Sequence, residues 1–168
     1  MAGAVVLAEP IAGLKDSKKL SKKQREALTI LIKEQALAIG LGWVEAALID
    51  EIGVTAAVKL AMERALEQIT IEYDDVIIDG HLNFLPENPK TRAVIKADDT
   101  EPSVSAASIV AKVARDNYMA DIITKDYPDY GFEQHVGYGT ALHIERLKLH
   151  GVSDLHRRSY KPIKALLQ

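Results

Sequence analysis

The run Ser105-Ala106-Ala107-Ser108 constrains this chain more than any other feature. It sits inside a stretch, Lys96–Asp116, whose second half reads as a helix. Side chains this small let a helix lie close to a sheet, so a sheet has to be near. The alternating run Ala93-Val94-Ile95-Lys96-Ala97 supplies a strand, and it leads straight into the carboxylate of Asp98. Nineteen residues before Asp98 stands Asp79, at the end of Asp75-Val76-Ile77-Ile78-Asp79-Gly80. Two strand-end acids close in sequence are the raw material of a Mg²⁺ or Mn²⁺ site, because hard cations take oxygen ligands.

The rest of the chain alternates in the same way. Met1–Ala8 reads as a strand around Val5, Val6 and Leu7, and Pro10 and Gly13 mark a turn. Ser21 and Gln24 have the spacing of a capping box, which starts a helix through Leu28, Leu31 and Ile32, with Gly40 as its stop. Ile39, Leu41 and Trp43 alternate as a short strand. A helix is expected over residues 55–69, and a strand over 73–79 buried on both faces, given Val76, Ile77 and Ile78. Pro86 and Pro89 place a loop over 81–90; a strand follows over 92–97 and a helix over 103–123. Residues 126–139 are rich in loop residues, and Thr140 caps a shorter helix that Gly151 stops. A short helix is expected after Pro162. Interleaved strands and helices define an α/β protein.

At 168 residues, the chain is expected to be one domain with a sizeable core. It has no apolar run of about 18 residues, so no membrane span is expected. No secretory leader is evident, and there are no cysteines, which removes disulfides and Cys-based zinc sites. The expectation is a cytoplasmic protein. The net charge of −3 argues against broad binding of nucleic acid. The charge is segregated, however. Lys15, Lys18, Lys19, Lys22, Lys23 and Arg25 crowd one stretch, and a second basic group lies between Arg146 and Lys164.

Each candidate has a bland account beside the chemical one. Asp79 reads equally as a turn opener and as a metal ligand. Asp98 reads as a helix cap or as the second ligand. Lys18 and Lys19 read first as a solvated pair at a helix approach, and second as phosphate contacts. Tyr138, between Gly137 and Gly139, either covers the core or presents its ring to a sugar or base, where stacking contributes about 1–3 kcal/mol. His143 and His150 lie seven apart on one helix face and read as surface residues without zinc spacing.

Taken in order, Asp16–Leu20 (DSKKL), Val76–Gly80 (VIIDG), Ser105–Asp116 (SAASIVAKVARD), Gln134–Thr140 (QHVGYGT) and His156–Tyr160 (HRRSY) resemble bacterial ribonuclease HII over nearly the whole chain. The resemblance implies a ribonuclease H-like mixed five-stranded sheet with flanking helices. It implies an endonuclease of replication and repair that cuts the RNA strand of RNA–DNA hybrids, and at single ribonucleotides embedded in duplex DNA, by two-metal-ion catalysis with Mg²⁺ or Mn²⁺. By motif, Asp79 and Asp98 are the third and fourth of four catalytic, metal-binding carboxylates. Lys18 and Lys19 lie near backbone phosphates, and Tyr138 packs on the sugar at the RNA–DNA junction. The resemblance also implies a monomer.

The family opens on a strand carrying an Asp-Glu pair followed by Gly-Arg-Gly, whereas this chain opens at Met1-Ala2-Gly3-Ala4-Val5-Val6, which matches the segment after that motif. The expectation is therefore an N-terminally truncated ribonuclease H-like domain over residues 1–168. Its first, central strand and two of its four carboxylates are missing. Val136 stands where the family usually has lysine, and Gly53 where asparagine is usual. The alternatives are a non-catalytic hybrid-binding remnant and a poorly folded one.

Overall fold

The computed structural model describes residues 1–168. They group into two compact units, residues 1–44 with 55–113, and residues 45–54 with 114–168. No helix is long and apolar enough to cross a membrane.

In the first unit, β1 (Ala2–Leu7) pairs antiparallel with β2 (Ala36–Gly42), with Ala2 opposite Gly42 and Leu7 opposite Ala36. Between them runs α1 (Lys22–Gln35). Ser21 starts α1 as the capping box predicts: the Gln24 N–H donates to Ser21 Oγ, and the Ser21 N–H donates to Gln24 Oε1. Leu28 and Ile32 of α1 pack with Ile11, Leu20, Ala106, Ile109 and Val110 into the core of this unit.

Helix α2 (Ala46–Leu66) is broken at Gly53, whose φ of 82° and ψ of 160° only glycine adopts readily. The portion after the break approaches β2 closely at Gly40 and Gly42, which face Ala65 and Ala61. A Cβ on Gly40 would stand 1.9 Å from the Ala65 carbonyl oxygen, and one on Gly42 would stand 1.8 Å from that of Ala61. Gly40 is therefore not a helix stop, as the sequence suggests; α1 ends at Gln35, and Gly40 is where a helix backbone meets a strand. The Gln68 side chain accepts the Leu41 N–H and donates to the Leu41 carbonyl, so it covers the outer edge of β2 at that point.

β3 (Val76–Asp79) and β4 (Thr91–Val94) form a second, parallel pair, with Asp79 opposite Val94. Both strands are shorter than expected. Ile78 is buried, while Val76 and Ile77 are only half-buried, so the strand is not covered on both faces. β4 stops at Val94 because Lys96 turns into the left-handed region (φ 59°) and starts a single turn, α3 (Ala97–Thr100).

Helix α4 (Pro102–Asn117) follows. Its small residues do what the sequence requires: a Cβ on Gly3 of β1 would lie 2.6 Å from the Ala107 carbonyl oxygen. The expected single helix to residue 123 is instead α4, then a wider π turn over Tyr118–Ile123, and then α5 (Thr124–Asp126).

In the second unit, the expected loop over 126–139 is largely helical turns: a 3₁₀ turn at Pro128–Tyr130 and α6 (Phe132–His135). Phe132 is almost fully buried and heads a core with Ile123, Tyr130, Leu147 and Ile163. Helices α7 (Ala141–His150) and α8 (Lys161–Lys164) complete the unit, with Thr140 capping α7. Within the same unit, the Asp50 carboxylate accepts the backbone N–H groups of Arg158 and Ser159.

Candidate functional site

The acids of the first unit meet because β3 and β4 are parallel. Parallel strands bring their C-terminal ends to one edge, and that edge is where open α/β sheets place ligands. Asp79 is the last residue of β3. Past β4, the turn at Lys96 brings the Ala97 N–H back to donate to Asp79 Oδ1 at 2.9 Å. Ala97 is fully buried, so this bond satisfies a donor that would otherwise be costly. Asp98 follows directly and is only 7% exposed, while Asp79 is open to solvent. Ser105 at the start of α4 donates its hydroxyl to the Asp98 carbonyl and fixes the turn from behind.

The lysines arrive on a 3₁₀ turn, Ser17–Lys19. Asp16 caps it by accepting the Lys18 N–H, and Arg25 of α1 donates to the carbonyls of Ser17 and Leu20. Ser17 is buried against α4, its hydroxyl 2.8 Å from that of Ser108. Lys18 Nζ then lies 3.5 Å from Asp98 Oδ2, and Lys19 Nζ lies 2.5 Å from Asp99 Oδ1. The hydrogen bond to Asp99 raises the Lys19 pKa above the ordinary lysine value. Asp79, Asp98, Lys18 and Lys19 thus share one site of the first unit.

Tyr138 belongs to the second unit. It is about half exposed, and the Arg115 guanidinium stands 4.7 Å from its ring centroid. The loop before it is strained: Val136 has a φ of 44°, a region that β-branched residues rarely enter.

The histidines correct the sequence reading. His143 is 5% exposed, not a surface residue, and it joins His135 and His156, both also buried. The rings of His135 and His143 stack at 4.3 Å, and His143 Nε2 lies 3.0 Å from His156 Nε2. Burial lowers the pKa of both His143 and His156, and the neighbouring imidazoles lower them further. Polar letters at buried positions leave no hydropathy signal, so the sequence carries no sign of this cluster.

Asp79 and Asp98 offer the oxygen donors that Mg²⁺ and Mn²⁺ prefer. Mg²⁺ is commonly held by one or two carboxylates, with water and phosphate completing its shell. No third His, Cys, Asp or Glu completes a metal-holding group with them. Two carboxylates are in keeping with a single such ion and are too few to hold two.

Solved structures place this arrangement among ribonuclease H-type folds. The ribonuclease HII of Archaeoglobus fulgidus, solved in complex with PCNA, superposes with a TM-score of 0.71 at 25% identity, covering 93% of this chain and 81% of that one. Bst-RNase HIII in complex with Mn²⁺ superposes with a TM-score of 0.62 at 18% identity, covering 92% and 57%. The Ribonuclease HII of Marinomonas sp. (strain MWYL1) is 47% identical over 172 residues, spanning 100% of this chain and 85% of the relative. The Ribonuclease HII family model matches residues 2–163. The chain belongs to the ribonuclease HII family, and by family it is an endoribonuclease acting on RNA–DNA hybrids.

Proposed function

We propose that the chain hydrolyses the RNA strand of RNA–DNA hybrids, and cuts beside single ribonucleotides in duplex DNA, with Asp79 and Asp98 holding Mg²⁺ or Mn²⁺ at the scissile phosphate. The observation that carries this reading is the Ala97 N–H to Asp79 bond, which holds a solvent-open carboxylate beside the buried Asp98. A divalent ion bound there supplies charge neutralisation to the phosphate. Asp79 needs no rearrangement to bind it, because Ala97 already fixes its carboxylate. Lys18, with 79% of its side chain exposed, can exchange Asp98 for a backbone phosphate. Lys19 can do the same from Asp99. Tyr138 presents a half-exposed ring to the sugar of the ribonucleotide, whose 2′-hydroxyl is the group that separates RNA from DNA. Two-ion catalysis, which the resemblance implies, requires oxygen ligands beyond these two acids.

The test is cleavage of a duplex bearing one ribonucleotide, with Mg²⁺ or Mn²⁺, by this chain and by Asp79→Asn. Metal-dependent cutting beside the ribonucleotide that the variant loses supports the reading. Cutting that survives in Asp79→Asn removes Asp79 from the chemistry. Binding that is indifferent to divalent ions, with no cutting, supports the non-catalytic hybrid binder instead.

A further inference from the structure

The buried histidines of the second unit have hydrogen-bond partners that fix their tautomers. His156 Nδ1 accepts from Ser153, whose hydroxyl is 2.8 Å away and whose N–H is 3.3 Å away. An acceptor at Nδ1 leaves the proton on Nε2, which points at His143 Nε2 at 3.0 Å. His143 Nε2 is therefore an acceptor, and its proton sits on Nδ1. That N–H donates to the carbonyl of Tyr138 at 3.0 Å. His135 is fixed independently: the Gly137 N–H donates to its Nδ1, and its Nε2–H donates to the Tyr130 carbonyl. His135 and His143 thereby hold the strained loop on both sides of Gly137. Without such anchors, Val136 would leave the left-handed region.

We propose that Ser153, His156 and His143 form a one-directional hydrogen-bond relay ending on the Tyr138 carbonyl, which makes His143 and His156 positioning residues for the Tyr138 ring. The inference rests on the reading that Tyr138 contacts the ribonucleotide. The relay tolerates no extra proton. A proton on His143 Nε2 would set two donors facing each other, and a proton on His156 Nδ1 would displace Ser153. Stacking on His135 at 4.3 Å further disfavours an imidazolium. Among the charged groups around the cluster, Asp154 favours protonation of His156, Glu133 faces His135 and Arg146, and Arg115 stands over Tyr138. Asp129 faces Tyr130, and His150 packs on the same ring. Burial and the neighbouring imidazoles outweigh the one favourable carboxylate at His156.

The experiment uses the full chain and compares its affinity for a duplex bearing one ribonucleotide with that for the same all-DNA duplex, in EDTA so that no strand is cut. Tyr138→Ala is expected to lower this ratio about tenfold, within the range that loss of a stacking contact costs. His143→Leu and His156→Leu are expected to lower it comparably. His143→Asn, whose amide can still donate to the Tyr138 carbonyl, is expected to recover most of it. The wild-type ratio should hold through the ordinary imidazole value of about 6.5 and fall only at lower pH, because burial lowers the pKa of both His143 and His156. ¹⁵N shifts should show His143 protonated on Nδ1 and His156 on Nε2. If both Leu variants melt as the wild type does and keep the ratio while Tyr138→Ala loses it, the relay is overturned and the role of Tyr138 stands. If Tyr138→Ala keeps the ratio, the functional reading of Tyr138 fails and the relay has nothing to position. If the Leu variants do not fold, the opposite tautomers in the wild type overturn the relay.

Discussion

The backbone N–H of Ala97 donates to Asp79 Oδ1, joining the last residue of β3 to the first of α3. One carboxylate oxygen thus braces the turn that carries Asp98, while the group as a whole remains open to solvent. Structure and chemistry can be separated here by substitution. Asp79→Asn keeps an amide oxygen for Ala97, and Asp79→Ala leaves a buried donor bare. Denaturant unfolding should show Asn close to the wild type and Ala destabilised by about 1–3 kcal/mol. Mn²⁺ titration should show both variants weakened equally.

The contact of α2 with β2 leaves no space for a methyl group. Gly42→Ala puts Cβ 1.8 Å from the Ala61 carbonyl oxygen, against backbone that no rotamer change can move. The expected loss is about 3 kcal/mol, at the upper end of overpacking penalties. Gly139→Ala, where a Cβ meets nothing within 4 Å, is the matched control and should unfold near the wild-type midpoint.

Val136 holds a conformation that asparagine enters more readily. Val136→Asn should therefore raise the melting temperature, by an amount corresponding to about 1 kcal/mol of relieved strain. A lower melting temperature would show that the Val136 side chain contributes more by packing than its backbone loses.

Stability should depend on pH through the buried imidazoles. His143 and His156 have depressed pKa values in the folded chain, so the unfolded chain takes up protons first. Their contribution is complete above about pH 6.5 and is lost as pH falls through and below that value. Urea midpoints measured across this range should fall for the wild type and fall less for a His143→Asn, His156→Gln double variant.

Much of this architecture can be read from the letters. The Ser21–Gln24 box, the small face of α4 and Asp79 at the end of β3 all rest on local chemistry or periodicity, and each appears where expected, whereas Asp98 stands in the turn α3 past the end of β4 rather than at a strand end. What could not be read depends on distant partners. Gly40 carries the same letter whether it ends a helix or admits one, and only the approach of Ala65 distinguishes the two. Lys96 has no turn preference to announce that β4 will stop short, because the turn is fixed by a bond between Ala97 and Asp79. His143 looks like a surface residue until the Tyr138 carbonyl and His156 appear beside it. Phe132 was hidden among glycines and prolines that suggest open loop, although it is a large side chain at the centre of the second unit's core.

The Gln68 amide gives Leu41 the donor and acceptor that an adjoining strand would have offered. In effect it is a strand one residue long, and it closes the outer border of β2 to any extended chain that drifts past. β1 has β2 as its sole strand neighbour, so its far border is paired with no strand. Exposed strand borders invite pairing between molecules. Self-association of this protein at high concentration should therefore proceed from the β1 side, and Gln68→Ala should open a second route to it.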